Sequence, residues 1–150
     1  MASMHFRAGT VAVVRNSEGR ILAFERKDRP GQWQLPQGGM DAGESVVDCA
    51  WRELDEETGL GPQEVQLVDE FPEWTAYEWP ADLAVPNGPE QRKRLGQAQR
   101  WFFFDVIDDD VAPSPDGVEF VAWKWVTASW LIEQVVEFRR GSYQRVLGDS

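Results

Sequence analysis

The sequence predicts an α+β fold with a mixed β-sheet between helices, and three observations point there. Several short runs rich in β-branched and aromatic residues are bounded by turn residues, a central stretch running up to Gly59 has helical periodicity, and a second helical pattern follows Ser129. At 150 residues the chain reads as one domain, residues 1–150, long enough to bury about two-thirds of its unfolded surface.

Taken in order, Gly9 to Val14 is apolar and β-branched, Asn16-Ser17-Glu18-Gly19 is turn chemistry, and Ile21 to Phe24 is a second extended run. This predicts a hairpin. Gly- and Pro-rich residues from Pro30 to Gly39 lead as a loop into the central helix, and Val65 to Phe71 reads as a further strand. Residues 79–97 contain several prolines and a basic cluster, so they read as a long substrate-facing connection. Arg100 to Ile107 and Val118 to Val126 are strand-like, separated by the acidic turn region DDDVAPSPDG, which reads as a solvated loop. Ser129 is placed to cap one closing helix in which Trp130, Leu131, Gln134, Val135 and Phe138 recur at helical spacing.

The central helix carries the chemistry. Side chains three or four apart share a helix face, so Glu53, Glu56 and Glu57 fall within an arc of roughly 100°. Val47, Ala50, Trp51, Leu54 and Thr58 form a separate stripe that reads as the core-facing side. Like charges at these spacings repel, and Arg52 offsets only part of the charge. Hard divalent cations prefer oxygen ligands, and Mg²⁺ in particular uses a few carboxylates together with substrate phosphates. The flanks support that reading over a merely solvated acidic face: Gly38 and Gly39 before the helix, Glu44 in its expected first turn, and Gly59 as a left-handed stop with Leu60 packing behind it.

Composition removes other classes. The net charge of −11 argues against a sequence-independent nucleic-acid binder, whose affinity comes from a broad basic surface. Basic groups are local: Arg26-Lys27, Arg92-Lys93-Arg94 with Arg100, and Arg139-Arg140 with Arg145. Cys49 is the only cysteine, which excludes an internal disulfide and a cysteine-rich zinc site, and a disulfide-linked partner is not expected of a thiol inside the amphipathic helix. His5 is the only histidine, so no His-based triad is expected. The absence of a long apolar run or an apolar leader core predicts no membrane association and a cytoplasmic protein.

The stretch from Gly38 to Leu60 resembles the Nudix box: a glycine, five residues, Glu, seven residues, Arg-Glu, an aliphatic, one residue, Glu-Glu, one residue, Gly, an aliphatic. Gly38, Glu44, Arg52, Glu53, Leu54, Glu56, Glu57, Gly59 and Leu60 fill every fixed position. The resemblance implies an α/β/α sandwich and hydrolysis of a pyrophosphate linkage in a nucleotide-type substrate with Mg²⁺ or Mn²⁺. It implies Glu53, Glu56 and Glu57 as metal ligands, a backbone contact from Gly38, and Arg52 orienting the carboxylates. Glu57 and Glu119 are the candidate general bases, Glu119 lying outside the box in a segment able to return to it.

Segments 31–45 and 96–104, VEFVAWKWV and EQVVEFRRGSYQRVL resemble the bacterial RNA pyrophosphohydrolase and diadenosine polyphosphate hydrolase branch of that family. This implies that Arg26 or Lys27 and Arg139 contact phosphates, while Phe138 and Tyr77 stack on a base. The N-terminal HFRAGTVAVV departs from the entry segment associated with the RNA enzymes. A 5′-triphosphorylated RNA end and a dinucleoside polyphosphate therefore both stand as substrates. Two further alternatives are a pyrophosphatase for small modified nucleoside triphosphates and a non-catalytic nucleotide-binding regulatory module. The long 79–97 connection disfavours the first, and the complete set of box glutamates disfavours the second.

Overall fold

The computed structural model describes residues 5–80 and 94–148. Strand β1 (His5–Arg15) is the spine, and from Gly9 to Val14 it is buried without alternation, as expected of a strand covered on both faces. It pairs in parallel with β7 (Arg94–Val106), from His5↔Arg94 to Arg15↔Asp105. On its other side it pairs antiparallel with β4 (Gln37–Gly39). Strands β5 (Val65–Glu70) and β6 (Thr75–Glu78) both run antiparallel to β7.

The expected hairpin is present, with Asn16 Oδ1 accepting from the backbone N–H groups of Glu18 and Arg20. Its strands separate at once, however: β1 and β2 (Ile21–Arg26) pair only at Arg15↔Ile21. Beyond that point β2 is flanked by β3 (Trp33–Gln34) and β8 (Phe120–Val126), both antiparallel. Among the described residues the result is an eight-stranded mixed sheet, which divides the core into two layers.

Alternation along β1 decides which layer each residue joins. Ala12 and Val14 pack with Ala50, Leu54, Phe102, Phe104 and Phe120 beneath helix α1 (Val46–Thr58). Val11 and Val13 pack with Trp101, Leu131, Val135 and Tyr143 beneath the two C-terminal helices. The fold is α+β, a sheet between helices, as expected.

The single closing helix expected from sequence is two. Helix α2 (Ala128–Gln134) is capped by Thr127, whose side chain accepts from Trp130 N–H, rather than by Ser129. Val135 and Val136 are extended, and α3 (Glu137–Leu147) starts after them. Arg140 explains the break, since its guanidinium donates to the carbonyls of Ile132 and Glu133 and so satisfies groups that a continuing helix would have bonded. Tyr143 on α3 is fully enclosed, and its hydroxyl accepts from Leu35 N–H at 2.9 Å.

Lys124 on β8 sits with its ammonium 4.5 Å and 4.0 Å from the ring centres of Trp33 and Trp130, fastening α2 to the sheet by cation–π attraction. Most tryptophans serve the core as expected; Trp101 is buried and Trp74 is exposed. Strand β7 begins at Arg94 rather than Arg100, so Gly96 and Gln97 belong to the sheet. Residues 81–93 of the connection read as substrate-facing, Arg92 and Lys93 among them, lie outside the described residues. No helix among the described residues is long and apolar enough to cross a membrane.

Candidate active site

Helix α1 is built to hold a charged face in place. Ser45 caps its start by accepting from Asp48 N–H at 3.2 Å, and Gly59 closes it in the left-handed conformation at φ 74°. Glu44 therefore lies just before the helix rather than in its first turn, and it acts through its side chain. Its carboxylate takes two hydrogen bonds from Arg52, at 2.7 Å and 2.9 Å, and one from Asp41 N–H at 3.0 Å. Those bonds, Arg52's first, hold Glu44 down to a pKa of about 2.

Arg52 is the hub. Besides Glu44 it donates to Glu53 Oε1 at 2.7 Å, Glu56 Oε2 at 3.3 Å and the Gly39 carbonyl at 3.0 Å. Its hydrogen bonds to the Glu44 carboxylate raise its own pKa further, so the guanidinium is a permanent cation here. Strand β4 lies against the helix at this point: Gly38 is in a strand rather than the expected loop, paired with Thr10. A Cβ at Gly38 would land on the Glu53 carboxylate, so only glycine leaves that carboxylate its place. Gly38→Ala is accordingly expected to displace the flexible Glu53 carboxylate, cutting kcat by at least about tenfold, equivalent to about 1.4 kcal/mol, with little change in stability. Steady-state kinetics and a thermal melt check this, and wild-type kcat would show that Glu53 moves freely.

Glu57 faces the interior at 5% exposure, its Oε2 accepting from Gln37 N–H at 3.0 Å. The chain brings Glu119 to it from the far end of the sequence. Asp116 Oδ1 gathers the N–H groups of Val118, Glu119 and Phe120, and its own N–H donates to the Glu57 carbonyl at 3.2 Å, turning the acidic loop back onto the helix so that Glu119 neighbours Glu57 just before β8. Burial, then the neighbouring Glu119, push Glu57 up to about 11. Burial also raises Glu53, with Glu56 and Glu119 adding to the effect against Arg52. Cys49, one turn before Arg52, is a buried thiol 3.2 Å from Thr10 Oγ1, raised by burial.

Among the described residues no three carboxylate, histidine or cysteine side chains converge closely enough to chelate one ion. The physical reason is charge: Arg52 draws Glu53 and Glu56 to itself while Glu57 is held on Gln37. The donor set still fits a hard divalent cation, because it is all oxygen, it crowds like charges that one guanidinium only partly offsets, and the half-exposed Glu56 is free to turn from Arg52.

The substrate residues expected from sequence divide. Arg26 makes a two-point contact with Asp28, at 3.0 Å and 2.9 Å, and Lys27 is exposed with its backbone N–H on the Glu119 carbonyl. The Lys27 backbone thus lies next to Glu119, while the Arg26 guanidinium is held by Asp28. Phe138 is half-buried with its ring centre 5.5 Å from that of Tyr77. Tyr77 and Arg139, expected to meet a base and a phosphate, are instead turned inward at 7% and 9% exposure. Tyr77 offers no open face because Phe138 covers it, and Arg139 is engaged by Tyr77 and Gln34. Buried Gln34, Gln97 and Gln99 were not singled out from sequence. The available signal was the alternation in GQAQRW, which puts both later glutamines on one face of a strand.

A layered sheet carrying a capped helix of arginine-organised glutamates defines a class, and comparison with known proteins places it. The NUDIX domain model matches residues 5–146, and the chain belongs to that family. It is 37% identical to an RNA pyrophosphohydrolase of Cereibacter sphaeroides, over 97% of this chain and 90% of the relative. It is 34% identical to one of Zymomonas mobilis, over 99% and 97%. Among solved structures it is similar in fold to the E. coli dihydroneopterin triphosphate pyrophosphohydrolase, with a TM-score of 0.72 at 19% identity over 95% of this chain and 97% of that one. A C. elegans Ap4A hydrolase complex matches at 0.68, with 19% identity over 93% of each chain.

Proposed function

We propose that this protein hydrolyses a phosphoanhydride bond at the 5′-triphosphate end of RNA, leaving a 5′-monophosphate, with Mg²⁺ or Mn²⁺ as cofactor. The observation that carries this is the patch where Arg52 holds Glu53 and Glu56, Glu53 abuts Gly38, and Glu57 and Glu119 lie alongside. The RNA pyrophosphohydrolase relatives, matched over nearly the whole chain, support the substrate. A cytoplasmic location belongs to the same reading.

Glu53, Glu56 and Glu57, with the Gly38 backbone, would hold the cation, which when bound neutralises phosphate charge and polarises the bond under attack. Arg52 keeps the carboxylates apart and aimed, and Glu44 keeps Arg52 aimed in turn. Glu57, with Glu119 beside it, and Glu119 itself are the two carboxylates that would take a proton from the attacking water. Arg26 or Lys27 would meet the phosphates, and the half-buried Phe138 would stack on a base, a contact able to contribute about 1–3 kcal/mol.

The acidic balance of −11 favours a short substrate over a long polyanion, and it keeps the dinucleoside polyphosphate reading alive. The test is kcat/KM with Mg²⁺ and then Mn²⁺ for a short 5′-triphosphorylated RNA and for diadenosine tetraphosphate. At least about tenfold preference for the RNA is expected, equivalent to about 1.4 kcal/mol in the transition state. Preference for the dinucleotide reassigns the substrate, faster turnover of free modified triphosphates reassigns it to small nucleotides, and no turnover leaves a binding module.

A further inference from the structure

Beneath the carboxylates a chain of buried polar side chains runs to the C-terminal helix. Arg139 on α3 donates from Nη1 to Gln34 Oε1 at 2.6 Å and from Nε to the Tyr77 hydroxyl at 3.3 Å. Tyr77 meets Gln97 Oε1 at 2.7 Å, and the same oxygen accepts from Gln99 Nε2 at 3.0 Å. Gln99 Nε2 also donates to Gln37 Oε1 at 3.2 Å, and the Gln37 backbone N–H holds Glu57. Gln34, Tyr77, Gln97, Gln99 and Arg139 are all less than a tenth exposed.

The direction of this chain is not arbitrary. A guanidinium only donates. With Arg139 donating to its oxygen, the Tyr77 hydroxyl directs its own proton to Gln97, which must then present its carbonyl oxygen. That oxygen takes one N–H of Gln99 and leaves the other for Gln37. One donor-only residue at the far end thus sets the orientation of every amide up to the strand that holds Glu57. Buried networks of this kind act as a unit.

We propose that Arg139 is a positioning residue for the hydrolytic reaction, acting through Tyr77, Gln97 and Gln99 on Gln37 and so on the placement of Glu57, rather than a phosphate contact. This rests on the reading of Glu57 as part of the hydrolytic site. A phosphate contact acts mainly on KM, whereas a relay to Glu57 acts on kcat.

The test compares Tyr77→Phe, which removes one hydroxyl and keeps the ring, with Arg139→Met, Arg139→Lys and the double variant Y77F/R139M. Turnover of the short 5′-triphosphorylated RNA is followed together with the Gln37 amide resonance in the ¹H–¹⁵N spectrum. In Y77F and R139M, kcat falls by roughly tenfold or more, as for other outer partners of catalytic groups, KM stays within about twofold, and the Gln37 resonance moves. The double variant loses no more than the worse single one, because a broken chain is not broken twice. Arg139→Lys, still a pure donor, retains most of kcat. An effect on KM alone, losses that multiply, or an unmoved Gln37 resonance in Y77F overturns the proposal. Should R139M fail to fold, Y77F decides: a kcat within about twofold of wild type refutes the relay. Absence of any wild-type turnover defeats the functional reading instead, and the Gln37 resonance then still tests the relay.

Discussion

Glu56→Gln is expected to lower kcat for metal-dependent hydrolysis by about a thousandfold or more while leaving the melting temperature within about 2 °C of wild type. A ligand to a divalent cation shares in several kcal/mol of charge stabilisation, and each 1.4 kcal/mol is tenfold in rate. The fold has little stake in this residue. Its side chain is 56% exposed, and its hydrogen bond to Arg52 is the longest that Arg52 makes to a glutamate, at 3.3 Å. Surface substitutions of this sort usually move stability by no more than about 0.5 kcal/mol. Kinetics with Mg²⁺ and a thermal melt on the same preparation separate the two effects, and a kcat within tenfold of wild type would remove Glu56 from the cation site.

Glu57→Gln is expected to do something less usual, abolishing turnover while raising the stability of the metal-free protein. In the unfolded chain a glutamate ionises near pH 4.3, but in the fold burial and Glu119 keep the proton on Glu57 up to about 11. Between those limits the unfolded state binds fewer protons than the folded one, so stability falls as pH rises, by up to about 1.4 kcal/mol per unit. Glutamine resembles the protonated acid and carries no such penalty. At pH 8 with a chelator the variant should melt higher by at least about 3 °C, and at pH 4 the difference should vanish. Adding Mg²⁺ or Mn²⁺ should then raise the wild-type melting temperature more than the variant's. A variant that melts lower than wild type at pH 8 without metal would contradict this.

The helix of the site was legible because its signals are local. The spacing of Glu53, Glu56 and Glu57, the stop at Gly59 and the stripe of Ala50 and Leu54 all follow from helix geometry. Glu119 was legible only as a candidate, because its return depends on Asp116 gathering three backbone N–H groups, a turn that a run of acidic residues does not advertise. The pairing of β1 with β7 joins residues some ninety positions apart, and nothing local to either strand names its partner. The split between α2 and α3 was hidden because Trp130, Leu131, Gln134, Val135 and Phe138 keep helical spacing across it, and only Arg140 folding back shows where the helix ends. The burial of Arg139, read from the resemblance as a phosphate contact, was hidden for a related reason: a basic pair does not advertise the polar pocket that accepts one of its members.

The parallel ladder between β1 and β7 also sets when the site comes into being. The helix bearing the glutamates is complete by Thr58, yet the strand that completes its floor runs from Arg94 to Val106, and Glu119 comes later still. At about 5–20 residues per second on a ribosome, the carboxylate helix waits several seconds for its partners. Closing so long a loop before any pairing energy is gained makes the central ladder a late event in folding. A nascent chain therefore carries every box residue long before it carries Glu119, and a chain cut anywhere between Leu60 and Glu119 keeps the motif intact while lacking the carboxylate that lies beside Glu57.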